Sequence, residues 1–518
     1  MKKIINSSIL FCIFISFIGQ SQSNPPDFAQ KVYDDLFKNL YATKQINKPV
    51  LQYFSDDENL IIDYIPSNGG LDGKIRVGVN FIELMRSFDK DSSNALAFVL
   101  GHEMAHIFLE QSNIDRVGSG YADKELRKKL KEIKDSVYTS IFERQADEQA
   151  IFNAHIGGYN VTHIAEQVIG KIYEAFELKE NLKGYPSLDE RKQIIRFSVH
   201  KMEALLERFE LANLFFVSGN YEHSEKIYNA ILTEGFRSAE IYNNLGLCQL
   251  FKVIESDTIY QKYEWPIYLD SKTKLISNSQ RDIFGVDVEE CLTEAIRYFE
   301  LSKGFNGYKW SNLNLSIAHL LFHISGEDSE TDHLEESISF NGKLKALNIP
   351  HYSAMNGILY HYSGDINQSK TEFIKNLETF PPSKRNLDNL FFEGSTFKDN
   401  DENPLNQLIE PQNNIFELFF NRADLIQDTT SKLMNSFNNT RLEYKIVDGD
   451  KYGCFDNRII GKKIYFASFT DGYENITETM LITFADKIYY TNQFHYYIFK
   501  DWVFRYDEFL NKKVYLVQ

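Results

Sequence analysis

The stretch Leu100-Gly101-His102-Glu103-Met104-Ala105-His106 constrains this chain more than any other. It reads H-E-x-x-H. Ala95, Leu96, Phe98, Val99 and Leu100 before it predict an amphipathic helix, opened by the capping side chains of Asp91, Ser92 and Ser93. On a helix, residues four apart project from one face. His102 and His106 therefore present two imidazoles to one point, and a Zn²⁺–nitrogen bond is about 2.0–2.1 Å long. Glu103 lies one position round the helix, beside such an ion rather than on it. A carboxylate there is placed to take a proton from metal-activated water. Gly101 and Ala105 are small, as close packing would need.

A second helix is predicted from about Asp123 to His155, ended by Gly157-Gly158. Its first half, Lys124 to Lys134, is mostly charged and reads as a solvated face. Its second half carries Glu143-Arg144-Gln145-Ala146-Asp147, which puts two carboxylates on one face. A catalytic zinc takes three protein ligands and keeps one position for water. His102, His106 and Glu143 make such a set for one Zn²⁺ per chain. Asp147 is then placed to hold the far N–H of a ligand histidine. His155 and His163 follow closely and are read as structural, since single histidines are commonly just packed.

Upstream, Phe28 to Leu40 has helical spacing, with Val32, Leu36, Phe37 and Leu40 on one side. Leu60 to Ile65 and Lys74 to Phe81 predict short strands around Ser67-Asn68-Gly69-Gly70. The strand just before the H-E-x-x-H helix is expected to offer an edge that binds extended peptide.

This order of a strand, Gly101-His102-Glu103-Met104-Ala105-His106, Glu143-x-x-Ala146-Asp147 and Gly157-Gly158-Tyr159 resembles the HtpX and CAAX prenyl endopeptidase family, gluzincins of metallopeptidase family forty-eight. The resemblance covers roughly residues 30 to 200. It implies a zinc endopeptidase in which His102, His106 and Glu143 are the ligands and Glu103 is the catalytic base. Membrane members of the family carry transmembrane helices around this core. No stretch after the N-terminus is long and apolar enough for one, so the resemblance is to the soluble periplasmic or secreted members. After the third ligand such proteins commonly carry a histidine-proline pair followed by an arginine. Here the stretch reads Tyr185-Pro186-Ser187-Leu188-Asp189-Glu190-Arg191, with tyrosine in place of the histidine. A phenol with a pKa of about 10 is a poor zinc ligand near neutrality. Water is therefore expected in the fourth position, and Tyr185 either donates to a transition-state oxyanion or packs on its loop.

The N-terminus reads as a secretory signal over residues 1–22. Lys2 and Lys3 precede an apolar run from Ile9 to Ile18, then the polar Gly19-Gln20-Ser21-Gln22-Ser23. This predicts a periplasmic or secreted protein. Beyond it remain Cys248, Cys291 and Cys454, too few and too widely spaced for a disulfide framework or a cysteine zinc site. The net charge of −17 argues against nucleic acid as a partner.

After the catalytic segment, Phe209-x-Leu211-Ala212 is followed by Gly219-Asn220-Tyr221, Ser224, Tyr228 and Ala230, and Leu245-Gly246 comes thirty-four residues after Leu211-Ala212. Ala295-Ile296-x-Tyr298-Phe299 with Trp310-x-x-Leu313, and Gly357 with Gly364-Asp365-Ile366, Ser369 and Phe373, repeat the pattern. The period and the alternation of small and large residues resemble the tetratricopeptide repeat. Such a resemblance implies a solenoid whose concave face binds extended polypeptide.

The expected fold is therefore α+β and mainly helical. A zincin-like catalytic domain spans 25–200, and a tetratricopeptide α-solenoid spans 204–394 with an insertion at 254–288. A linker covers 395–414, and a small α+β domain covers 415–518. In this last region a helix is expected from Ile415 to about Phe437. Strands are expected at Leu442 to Val447, Lys463 to Phe469, Thr479 to Phe484, Lys487 to Tyr490 and His495 to Val503, with a hairpin turn at Asp448-Gly449. The expected function is peptide-bond hydrolysis in envelope protein quality control. The substrate would be a misfolded or unassembled polypeptide held through the repeats, an assignment by family analogy. The alternative is a binding or assembly factor whose peptidase domain is latent.

Overall fold

The computed structural model describes residues 22–23, 26–40, 48–54, 62–66, 73–108, 139–178, 186–274, 276–277, 288–305, 308–326, 331–377 and 379–391, and then the strands of the C-terminal region. Several expectations lie outside the described residues: the signal segment over 1–21, the carboxylate helix before Thr139, Tyr185, the linker at 395–414, the strand at 479–484 and the Asp448-Gly449 turn. The chain is mainly helical with β-sheet, and it divides into two compact units. The first comprises residues 1–203 with 274–276, the second 204–273 with 277–518.

The first unit contains a sheet of β1 (Gln22–Ser23), β2 (Val50–Phe54), β3 (Ile62–Pro66) and β4 (Gly73–Gly78), in the order β1-β2-β4-β3. β2 runs parallel to β4, and β3 antiparallel to it. The last strand before the H-E-x-x-H helix is thus inside the sheet with both sides paired. Among the described strands it is β3, not β4, that offers the edge on this side. The expected strand from Lys74 to Phe81 is also shorter. Ile75 and Val77 are buried at a period of two, but Phe81, Ile82 and Met85 are buried at helical spacing, and α2 spans Val79–Arg86.

Helices α1 (Asp27–Leu40), α3 (Ser92–Phe108), α4 (Thr139–Ile156), α5 (Ala165–Ala175) and the start of α6 (Leu188–Val217) complete this unit. α3 packs against α1, α2, α4, α5 and β3. Every residue from Ala95 to Ala105 is buried. The expected amphipathic helix is instead the core of the unit, buried on every side from Ala95 to Ala105 because neighbours cover each face. α4 buries Glu143, Ala146, Asp147, Ala150, Ile151 and Ala154 and exposes Ile141, Arg144 and Gln145. It stops at Ile156, where Gly158 takes φ +90° and the Tyr159 amide donates to Ala154 O at 2.9 Å. A β-carbon is disfavoured at that φ, which is why glycine closes the helix.

The second unit continues from α6 through α7 (Tyr221–Thr233), α8 (Ala239–Ser256), α9 (Val288–Lys303), α10 (Ser311–Ser325), α11 (His333–Gly342), α12 (Pro350–Tyr362), α13 (Ile366–Ile374) and α14 (Pro381–Phe391). From α7 onward each helix packs on the next, and α8, α10, α12 and α14 also touch one another in turn. Gly246 of α8 faces Phe299 of α9, and Gly357 of α12 faces Phe373 of α13. An added β-carbon would sit 2.5 Å from the ring in both pairs. Between α8 and α9 the chain makes a short turn at Tyr260–Lys262 and then runs without helix or strand to Thr273. This strap is buried, with Trp265 at 6%, Tyr268 at 3% and Leu269 at 0% exposure.

The C-terminal strands β5 (Ile426–Gln427), β6 (Thr440–Val447), β7 (Asp450–Asn457), β8 (Lys462–Phe469), β9 (Lys487–Tyr490), β10 (His495–Phe499), β11 (Trp502–Tyr506) and β12 (Lys512–Val517) form one sheet. Its order is β9-β10-β11-β12-β8-β7-β6-β5, every pair antiparallel. Ile426–Gln427 pair with β6, so the helix expected from Ile415 to Phe437 does not run through them. The single strand expected from His495 to Val503 is two, β10 and β11, paired as a hairpin. Strands β7 and β12 have no counterpart in the sequence reading. β7 carries Asp450, Gly453 and Asp456, which lower strand propensity, and it is held by two partners in register. Cys248 and Cys291 are buried and form no disulfide among the described residues. No described helix is long and apolar enough to cross a membrane.

Candidate metal centre

α3 and α4 cross where both are lined by small residues. A β-carbon on Gly101 would lie 3.1 Å from Ala150 O and 3.2 Å from Asn153 Cβ. Asn153, 1% exposed, donates from Nδ2 to Gly101 O at 2.7 Å and ties the two helices at the crossing. This approach brings His102 beside both Glu143 and Asp147.

His102, His106 and Glu143 meet there as a group that could hold a metal ion. His102 Nε2 lies 3.2 Å from His106 Nε2 and 3.4 Å from Glu143 Oε2, and His106 Nε2 lies 3.7 Å from Glu143 Oε1. For bonds of 2.0–2.1 Å, the edge of a tetrahedron of ligands is about 3.3 Å. The three separations, two of them to different oxygens of the one carboxylate, lie within about 0.4 Å of that edge. Glu143 is 2% exposed, yet its Oε2 makes no hydrogen bond to any described residue. A buried carboxylate oxygen left that way is costly unless a cation completes it. Two imidazoles and a carboxylate are a donor set that suits zinc. His106 retains 14% side-chain exposure and marks the side of the cluster nearest solvent.

Behind the cluster, Asp147 is fully buried, and its Oδ1 is 3.0 Å from His102 Nδ1. This contact fixes the ring with Nε2 toward the cluster. Asp147 also receives two hydrogen bonds from Arg191 of α6, one from Nε at 2.7 Å and a shorter one from a terminal nitrogen. Arg191 is 1% exposed. Burial raises the Asp147 pKa, but the Arg191 charge and the His102 contact outweigh it and hold the carboxyl at about 2. Burial also lowers the His102 pKa, but its contacts with Asp147 and Glu143 prevail and lift it to about 9.

The structure brings together His102, His106, Glu143 and Asp147 as the sequence expects. Glu103 is buried at 1% beside His102 on α3. Tyr185 lies outside the described residues. His163 is apart from the cluster, with Nε2 3.1 Å from Asp91 Oδ1 at the surface. The sequence reading missed the roles of Arg191 and Asn153. Arg191 was visible only as the arginine of a family-like stretch, and nothing local marks Asn153 as a helix tie. No protein-family model matches the chain, and searches of curated proteins and of solved structures return no match.

Proposed function

We propose that the first unit is a zinc-dependent endopeptidase of the HtpX and CAAX prenyl endopeptidase type, acting on polypeptide in the periplasm or outside the cell. The observation that carries this reading is the convergence of His102, His106 and Glu143 at the edge lengths of a zinc tetrahedron, with Glu103 next to His102 on α3. Zinc, when bound, supplies a Lewis acid that polarises a carbonyl and lowers the pKa of water to about 7. His102, His106 and Glu143 hold it. Asp147 fixes the His102 ring, and Arg191 keeps Asp147 ionised. Glu103 takes a proton from the attacking water and hands it to the leaving amine. No covalent intermediate with the protein is involved.

The consecutive helices of the second unit and the matching Gly246–Phe299 and Gly357–Phe373 pairs support a tetratricopeptide-type array. The signal-like N-terminus supports export. Zinc stoichiometry on the purified full chain, with casein cleavage before and after chelation and zinc return, tests the assignment. Near one zinc per chain with chelator-sensitive cleavage is expected. One zinc with no cleavage would favour the binding or assembly factor with a latent peptidase.

A further inference from the structure

The strap between α8 and α9 is held by buried asparagines from four alternate helices that run through the second unit. Asn386 of α14 accepts from the Glu264 amide and donates to Glu264 O, both at 2.8 Å. Asn314 of α10 accepts from the Tyr268 amide at 3.3 Å and donates to Tyr268 O at 3.1 Å. Asn243 of α8 donates to the same carbonyl at 2.9 Å. Asn244 of α8 accepts from the Asp270 amide at 3.0 Å and donates to Asp270 O at 2.9 Å, and Asn213 of α6 donates to that carbonyl at 3.0 Å. All five asparagines are 0% exposed.

The bonded residues are 264, 268 and 270. Between Glu264 and Tyr268 the chain makes one tight turn, the Ile267 amide donating to Trp265 O at 2.8 Å, and Tyr268 and Asp270 are alternate residues, which in extended chain point their N–H and C=O the same way. Each of Asn386, Asn314 and Asn244 meets both groups of one residue, as a neighbouring strand would. The helices that contribute are α6, α8, α10 and α14. The remaining alternate helix, α12, supplies rings: His361 Nδ1 is 3.1 Å from the Tyr263 hydroxyl, and the His351 ring is 6.1 Å from that of Tyr268. Strap side chains add the anchors. Tyr268 stacks on Trp310 at 3.6 Å between centroids and 4° between planes, Trp265 is buried, and Tyr308 donates to the Asp270 carboxylate.

We propose that this asparagine row is a site for the backbone of a polypeptide segment that is neither helix nor strand, and that its resident ligand is the chain's own segment Glu264–Asp270. The row reads backbone through amides and reads aromatic side chains through Trp310, His351 and His361. While the strap is seated, a polypeptide supplied from outside does not enter. This inference is independent of the metal-centre reading and changes the role given to the repeats, whose site is closed in cis.

The test uses the full chain and a fluorescein-labelled synthetic peptide with the sequence of Lys262 to Lys272. A tethered strap competes at an effective concentration of about a millimolar, so the peptide should not bind wild type at micromolar concentrations. In Trp265→Gly/Tyr268→Gly the strap loses its anchors but the asparagines remain. Anisotropy should then show binding about 10²-fold tighter than to wild type, as expected when an intramolecular competitor is weakened. Asn314→Ala added to that variant should weaken it about tenfold. No binding to a variant that keeps wild-type helicity overturns the proposal, as does equal binding to wild type. Amide exchange keeps the question open to refutation if the double variant fails to fold. The amides of Glu264, Tyr268 and Asp270 should exchange as slowly as helix amides in wild type. The Tyr268 amide should exchange at least about tenfold faster in Asn314→Ala alone. A Tyr268 amide that exchanges at the wild-type rate in Asn314→Ala overturns the proposal.

Discussion

The two units each bury a polar cluster, and the clusters are satisfied in different ways. In the second unit the strap asparagines use both ends of their amides. Asn244 alone bonds the Asp270 amide, the Asp270 carbonyl, Tyr228 and Asn213. In the first unit three side chains bring donor atoms within 3.2–3.7 Å of one another, and Glu143 Oε2 makes no hydrogen bond to any described residue. Buried polar groups are tolerated when they are paired. The asparagines are paired with backbone, and the first cluster has the geometry of donors paired through a cation. Hydrogen bonding therefore separates an interior that holds backbone from one that could hold a metal ion, where burial alone does not.

The largest way to break this contrast is Glu143→Ala. It removes a ligand from the first cluster and should cost most of the bound zinc, measured by metal analysis after gel filtration. Full retention of zinc would remove Glu143 from the ligand set. Next comes Arg191→Ala, which leaves Asp147 buried without its cation. Breaking a buried pair from one side costs about 3–5 kcal/mol, so chemical denaturation should report a loss of that order. A loss below about 1 kcal/mol would mean that Asp147 is compensated from elsewhere.

Asp147→Ala is a gentler probe, since it frees the His102 ring without touching a ligand. Zinc affinity should fall by about 10–100-fold, as for loss of a partner behind a ligand histidine. In the second unit, Gly246→Ala and Gly357→Ala each place a β-carbon 2.5 Å from a phenylalanine ring. Overpacking of this kind costs about 1–3 kcal/mol, and the two variants should lose similar amounts if the pairs are equivalent. Clearly unequal losses would argue against a common repeat.

The smallest effect is one of pH on the metal-free chain. His102 is raised from 6.5 to about 9, so its stabilisation is complete below about pH 6.5 and is lost as pH rises through 9. Asp147 is lowered to about 2, so its contribution is present above the ordinary carboxylate pKa and is lost as pH falls through 2. Thermal midpoints of metal-free protein should therefore drop between pH 6.5 and 9. The zinc-loaded protein should show no such drop, because zinc takes the place of the His102 proton. Identical profiles with and without zinc would contradict the assignment of His102.

Much of the first cluster was legible because its geometry is local. Four-residue spacing places His102 with His106 and Glu143 with Asp147 whatever surrounds them. Arg191 was not, because a buried arginine at the start of a charged helix looks like any solvated one until its partner's position is known. Asn213, Asn244 and Asn314 are poor helix formers, and only packing shows that they face inward. The strap shows the same limit: Tyr263 to Asp270 reads as an aromatic and polar insertion, and its burial comes from contacts with helices distant in sequence. Secondary structure followed suit. α1 and α4 announced themselves by periodicity and a glycine stop. β4 passed into α2 without a break in hydrophobicity, and β7 is held by its neighbours.

What the first cluster does is tested most directly by Glu103→Gln. The substitution keeps shape and removes the base, so zinc content and folding should match wild type. Casein cleavage, measured on both proteins with one zinc bound per chain, should fall by about 10²–10⁴-fold. Cleavage at the wild-type rate by zinc-loaded Glu103→Gln would contradict the assignment of Glu103 and with it the peptidase mechanism.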